Sequence, residues 1–140
     1  MFFDTHAHYD DAAFEHDRDE LLKQLHENGV SFIINPGCDE SSSRMAAALA
    51  DNYGFIYAAV GLHPEEVETL NKDTLTEIEK LASHKKCVAI GEIGLDYHWK
   101  TDNKELQKEI FIKQLSLSSG TFPEISALRD MTLHTSVLWV

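Results

Sequence analysis

Short apolar runs alternate along this chain with stretches whose apolar positions recur three and four residues apart. The first run, Phe2 to Tyr9, reads as a strand. Asp17 and Glu20 then form a capping pair ahead of a helical stripe of Leu21, Leu22 and Leu25, which Asn28-Gly29 closes. Val30 to Asn35 predicts a second strand, stopped by Pro36-Gly37. Alanine-rich Arg44 to Asn52 predicts a second helix. Phe55 to Val60 is a third strand, left by the turn Gly61-Leu62-His63-Pro64. Thr74 and Glu77 read as a capping box before Leu75, Ile78 and Leu81. Cys87 to Ile90 is a fourth strand, and Lys104 to Leu117 a fourth helix.

Four β-α units of about thirty residues each predict a parallel sheet. Runs such as Phe32-Ile33-Ile34 and Val88-Ala89-Ile90 read as strands buried on both faces, with Phe2, Phe3 and Phe32 in the core. Two architectures compete on this pattern: an open doubly wound sheet, or the first half of a (β/α)8 barrel. A whole barrel takes about 250 residues, against 140 here. Residues 118–140 break the pattern and predict an irregular tail, so 1–117 and 118–140 are expected to differ in character.

Composition narrows the class. An apolar content of 43% with interspersed charges is that of a globular chain. The apolar start meets Asp4 at once, unlike a secretory signal, and no uncharged run is long enough to span a membrane. Cys38 and Cys87, far apart, read as reduced thiols of a cytoplasmic protein. The formal charge of -12 excludes coating of nucleic acid by bulk electrostatics, but not a local cationic site that meets phosphates.

The candidate chemistry lies where strands end. His6 and His8, read as strand residues i and i+2, face one side and converge on one ion. Glu92, directly after the fourth strand and between Gly91 and Gly94, is costly there unless paired or holding a metal. His63 adds a polar group to the same rim, whereas Asn35-Pro36-Gly37 reads as a turn and Ser41-Ser42-Ser43 as helix capping. A metal-centred hydrolytic site follows, with an ion held by the histidines and Glu92 activating water.

Phe2-Phe3-Asp4-Thr5-His6-Ala7-His8-Tyr9-Asp10, Gly61-Leu62-His63-Pro64 and Gly91-Glu92-Ile93-Gly94-Leu95-Asp96-Tyr97 together resemble the TatD family of metal-dependent deoxyribonucleases, from residue 1 to about residue 117. The resemblance implies a TIM-type barrel of which this chain is the N-terminal half, and one or two divalent ions (Mg, Mn or Zn). It implies hydrolysis of phosphodiester bonds in DNA, often from 3′ ends. It assigns His6 and His8 to one metal, Glu92 to a bridging carboxylate, and His63 to substrate phosphate.

The resemblance also implies a later histidine motif and a late aspartate ligand. Around Phe122-Pro123 the sequence keeps Arg129-Asp130, but Ala127 stands where the histidine would fall, and His134 does not fit a strand end. The expectation is therefore a truncated chain with a frameshifted tail, weakly active or inactive alone, whose exposed barrel edges self-associate. Two other readings stay open: an amidohydrolase-like enzyme acting on a small amide or lactone, and a non-catalytic metal-binding remnant.

Overall fold

The structure is a computed structural model that describes residues 1–121. Four strands, β1 (Phe2–Asp4), β2 (Val30–Pro36), β3 (Ile56–Val60) and β4 (Cys87–Ile90), alternate with four helices. These are α1 (Arg18–Glu27), α2 (Glu40–Asn52), α3 (Thr74–Ala82) and α4 (Lys104–Thr121). Short 3-10 turns cover Ala12–Phe14 and Pro64–Thr69. All strand pairs are parallel and the order among the described residues is β1-β2-β3-β4, without reversal. A doubly wound sheet reverses its strand order at a switch point. This order instead belongs to a sector of a (β/α)8 barrel.

The helices cover one face of the sheet. Leu22 of α1, Ala46, Leu49 and Ala50 of α2, and Ile78 and Ala82 of α3 pack on Ile33, Ile56, Ala58, Val60 and Ile90. Each fully buried leucine, isoleucine or valine side chain here contributes about 1.5–3 kcal/mol. The other face is open, which corrects the expectation of strands buried on both sides. Phe3 and Phe32 stack with ring centroids 5.4 Å apart, yet they are 59% and 42% exposed, and Phe2 and Val88 are exposed as well. Strand side chains alternate between faces, and among the described residues no second layer lies over this one.

Several element ends differ from the sequence reading. β1 stops at Asp4 rather than Tyr9, because the chain then turns to meet Asn35. Helix α2 starts four residues early through a reciprocal box: the Ser42 amide donates to Asp39 Oδ1 at 2.7 Å, and the Asp39 amide to Ser42 Oγ at 2.9 Å. The expected box at Thr74 and Glu77 does not form. Thr74 Oγ1 accepts from the Asn71 amide, while the Glu77 carboxylate pairs with Arg44 and Lys80. Asp17 sits before α1 but contributes its carbonyl, to the Leu21 amide, rather than its carboxylate. Asn28 and Gly29 do close α1, with Gly29 at φ 99°. Helix α4 runs on through Thr121, four residues past Leu117. The expectations on Ala127, Arg129, Asp130 and His134 lie outside the described residues.

Candidate metal centre

His6 and His8 ride on the segment leaving β1, not on a strand. Their convergence is therefore tertiary and not a consequence of strand alternation. The His6 amide donates to Asp4 Oδ1 at 3.3 Å and the Ala7 amide to the Ile34 carbonyl at 3.3 Å. The Tyr9 amide donates to Asn35 Oδ1 at 2.7 Å. From the other side Arg18 donates to the carbonyls of Tyr9, Asp10 and Asp11 at 2.5, 3.2 and 2.9 Å. The Tyr9 hydroxyl donates to Asp4 Oδ2, and burial together with that carboxylate raises its pKa above the usual phenol value.

Glu92 arrives from the opposite edge of the sheet. Its amide donates to the Gly37 carbonyl at 2.8 Å, and the Gly91 amide to the Val60 carbonyl at 3.0 Å. The turn is tight against Gly61: a Cβ there would come within 2.9 Å of the Gly91 carbonyl carbon and 3.0 Å of the Glu92 oxygen. Glycine at 61 lets the carboxylate segment approach the end of β3. Beyond it, buried Gln107 of α4 receives the Asp96 amide and donates to the Asp96 carbonyl, both at 2.8 Å. Asp96 in turn accepts from the Trp99 and His98 amides, which hold its carboxyl below the usual range.

These supports bring three donor atoms together. His6 Nε2 lies 2.8 Å from Glu92 Oε1 and 3.2 Å from His8 Nε2, and His8 Nε2 lies 3.6 Å from Glu92 Oε1. Ligands at about 2.0–2.1 Å in a tetrahedral shell stand roughly 3.3 Å apart, so the spacing matches a small divalent ion. Two imidazoles and one carboxylate are a donor set that zinc and manganese accept. Glu92 is buried and His6 and His8 are partly so, leaving the group reachable from the rim.

His63 is on the same rim but outside this group. It caps the 3-10 turn, its Nδ1 accepting from the Glu65 amide at 3.3 Å. Its own amide donates to the Cys38 carbonyl at 2.7 Å. The adjoining Leu62 is pinned by buried Gln114, which accepts from the Leu62 amide at 2.7 Å and donates to its carbonyl at 3.0 Å.

Two residues of the site escaped the sequence reading. Asn35, read as a turn, is the penultimate residue of β2, fully buried and bonded to the histidine segment. An amide inside an apolar strand run was the available signal, since a buried amide requires partners. Cys38, read as an ordinary reduced thiol, donates its S–H to Glu92 Oε2 at 3.0 Å. Burial first, then the Glu92 carboxylate, push this thiol far above its usual range. Nothing in the spacing of Cys38 marks it.

The sequence profile of the family described as TatD related DNase matches residues 3–121. The chain belongs to the TatD related DNase family. It is 38% identical over 133 residues to the uncharacterized metal-dependent hydrolase YabD of Bacillus subtilis, covering 94% of this chain and 52% of that one. It is 32% identical to the 3′-5′ ssDNA/RNA exonuclease TatD of Cronobacter turicensis, covering 84% of this chain and 45% of the relative. The crystal structure of the TatD homolog YJJV from Escherichia coli superposes with a TM-score of 0.77 at 34% identity, over 86% of this chain and 47% of that chain. The TatD architecture thus extends over the described residues, and the chain spans about half the length of the curated relatives it matches.

Proposed function

We propose that this chain carries part of the active site of a metal-dependent nuclease that hydrolyses phosphodiester bonds of DNA, removing nucleotides from 3′ ends. The observation behind the reading is the tetrahedral spacing of His6 Nε2, His8 Nε2 and Glu92 Oε1 at the carboxyl ends of parallel strands. The relative named as a 3′-5′ ssDNA/RNA exonuclease supports a single-stranded nucleic acid as substrate.

His6 and His8 would hold a divalent ion (zinc, manganese or magnesium) through their Nε2 lone pairs, and Glu92 through Oε1. When bound, such an ion makes water acidic and stabilises charge on phosphoryl oxygens. Glu92 keeps its second oxygen toward Cys38, which fixes the carboxylate plane. His63, with Nδ1 committed to its cap, offers Nε2 to a substrate phosphate. With a formal charge of -12, the chain holds its polyanion locally rather than by an overall field. The free thiols Cys38 and Cys87 fit a cytoplasmic location. The edges at β1 and β4, open among the described residues and beside exposed Phe3, Phe32 and Val88, are the surface through which copies would associate.

The test is turnover of 5′-labelled single-stranded DNA with Mn2+, Mg2+ or Zn2+, against chelator and against His6→Ala and Glu92→Gln. A ladder shortening from the 3′ end, abolished by chelator and by either substitution, supports the reading. Turnover of a small amide or lactone with intact DNA would replace it with the amidohydrolase alternative. Ion binding with no turnover of any substrate would leave a non-catalytic remnant.

A further inference from the structure

Asn35 spans the interval between the β-sheet and the histidine segment with every polar atom of its side chain engaged. Oδ1 accepts from the Tyr9 amide at 2.7 Å. Nδ2 donates to Asp10 Oδ1 at 2.7 Å and also reaches the Pro36 carbonyl at 3.3 Å. The side chain is fully buried, so neither bond is exchanged for water at little cost. The oxygen of Asp10 that Asn35 holds lies 3.7 Å from His8 Nδ1, on the side of the ring away from the donor group. His8 presents its other nitrogen, Nε2, to His6 and Glu92.

We propose that Asn35 and Asp10 act as a positioning relay that aims His8 into the donor group. Asn35 fixes the Asp10 carboxylate. Asp10 then draws the Nδ1 edge of the ring outward, and Nε2 turns inward with its lone pair available. A carboxylate behind a metal-facing imidazole is a recurrent way of fixing ring orientation and tautomer. Here the carboxylate is itself oriented by an amide on the neighbouring strand. His8 follows β1 by four residues and has no regular structure to aim it, so the relay supplies what a strand would otherwise provide. Arg18 clamps the same segment only through backbone carbonyls, so it sets the height of the loop and not the turn of the ring.

The inference rests on reading His6, His8 and Glu92 as a cation site, and its test separates the two. The 140-residue chain and its Asn35→Leu, Asp10→Asn and Arg18→Leu variants are labelled with 15N in histidine. The His8 ring nitrogens are then read by NMR without metal, at a pH where imidazoles are neutral, and Mn2+ affinity is measured by calorimetry. Expected in the first two variants are altered His8 ring shifts and Mn2+ binding weakened about 10–100-fold. Arg18→Leu should leave the ring shifts near wild type. Asp10→Asn alone decides the matter if Asn35→Leu does not fold. Wild-type ring shifts in Asp10→Asn and in folded Asn35→Leu would overturn the relay. Altered shifts with no Mn2+ binding by wild type would sustain the relay and refute the cation site.

Discussion

Cys38 and Glu92, far apart in sequence, meet at the rim of the sheet with Sγ 3.0 Å from Oε2. The thiol is a donor to the carboxylate oxygen that does not face the histidines. Replacing it with a hydroxyl retains a donor, whereas an apolar side chain leaves a buried carboxylate oxygen without one. Cys38→Val should unfold in urea at a stability lower than Cys38→Ser by roughly 1–3 kcal/mol. Equal stabilities would mean that the sulfur contributes packing alone. Wild-type Cys38 should also react slowly with a disulfide reagent at pH 8, because its acidity is suppressed.

Gln114 closes a miniature ladder with Leu62, satisfying both its amide and its carbonyl in a buried setting. Gln114→Leu preserves bulk and strands both groups. The expected loss is roughly 1–3 kcal/mol for each stranded group, read as a shift in the urea midpoint at unchanged slope. A variant as stable as wild type would show that water replaces the glutamine.

Cys87 lies in β4 with its thiol pushed up from 9.0 to about 11 by burial. The unfolded chain therefore loses this proton first as pH rises. The stability from keeping it is complete below pH 9 and drains away between 9 and about 11. A difference of about two units bounds the effect at roughly 3 kcal/mol. Cys87→Val should flatten that part of the stability–pH profile relative to wild type, as followed by denaturant melts from pH 8 to 11. An unchanged slope would place the alkaline loss elsewhere.

The uncovered sheet face makes a different kind of prediction. Phe3, Phe32, Ile34, Tyr57 and Val88, with Asp4 and Thr5 at one end of β1, line a groove of about 330 Å3. A hydrophobic dye such as ANS should bind the native chain, and Phe32→Ser should reduce its fluorescence to roughly half or less. The same change forfeits the stack on Phe3, worth about 0.5–1.5 kcal/mol. Undiminished dye binding would show that the dye uses another surface.

The strands and helices were legible because each rests on local pattern: β-branched and aromatic runs, leucines at helical spacing, and glycine after α1. Three things were not legible, for physical reasons. The period-two pattern from Phe2 to Tyr9 continues past β1, but the Tyr9 amide finds a better acceptor in Asn35 than in a neighbouring strand. An apolar run says that a strand is apolar on both faces without saying whether both are covered, so Phe32 was assigned to the core. The helix caps were misassigned where a competing partner took the side chain, as Arg44 and Lys80 took Glu77. The structure brings His6, His8 and Glu92 together, although for His6 and His8 strand alternation is not the cause. The Asn35 amide is marked only by its place inside an apolar run, and nothing in the spacing of Cys38 marks the thiol.

The sheet order has a mechanical meaning for the candidate site. Among the described residues β1 and β4 are the two outer strands, about 14 Å apart across a flat sheet at about 4.8 Å per strand. Yet the residues leaving them touch, His6 Nε2 against Glu92 Oε1 at 2.8 Å. The donor group is thus a buckle fastened over the top of the sheet, joining the segment after β1 to the segment after β4. An ion gripped there would tie β1 to β4, so loading the site and holding the curvature of these four strands would be a single event.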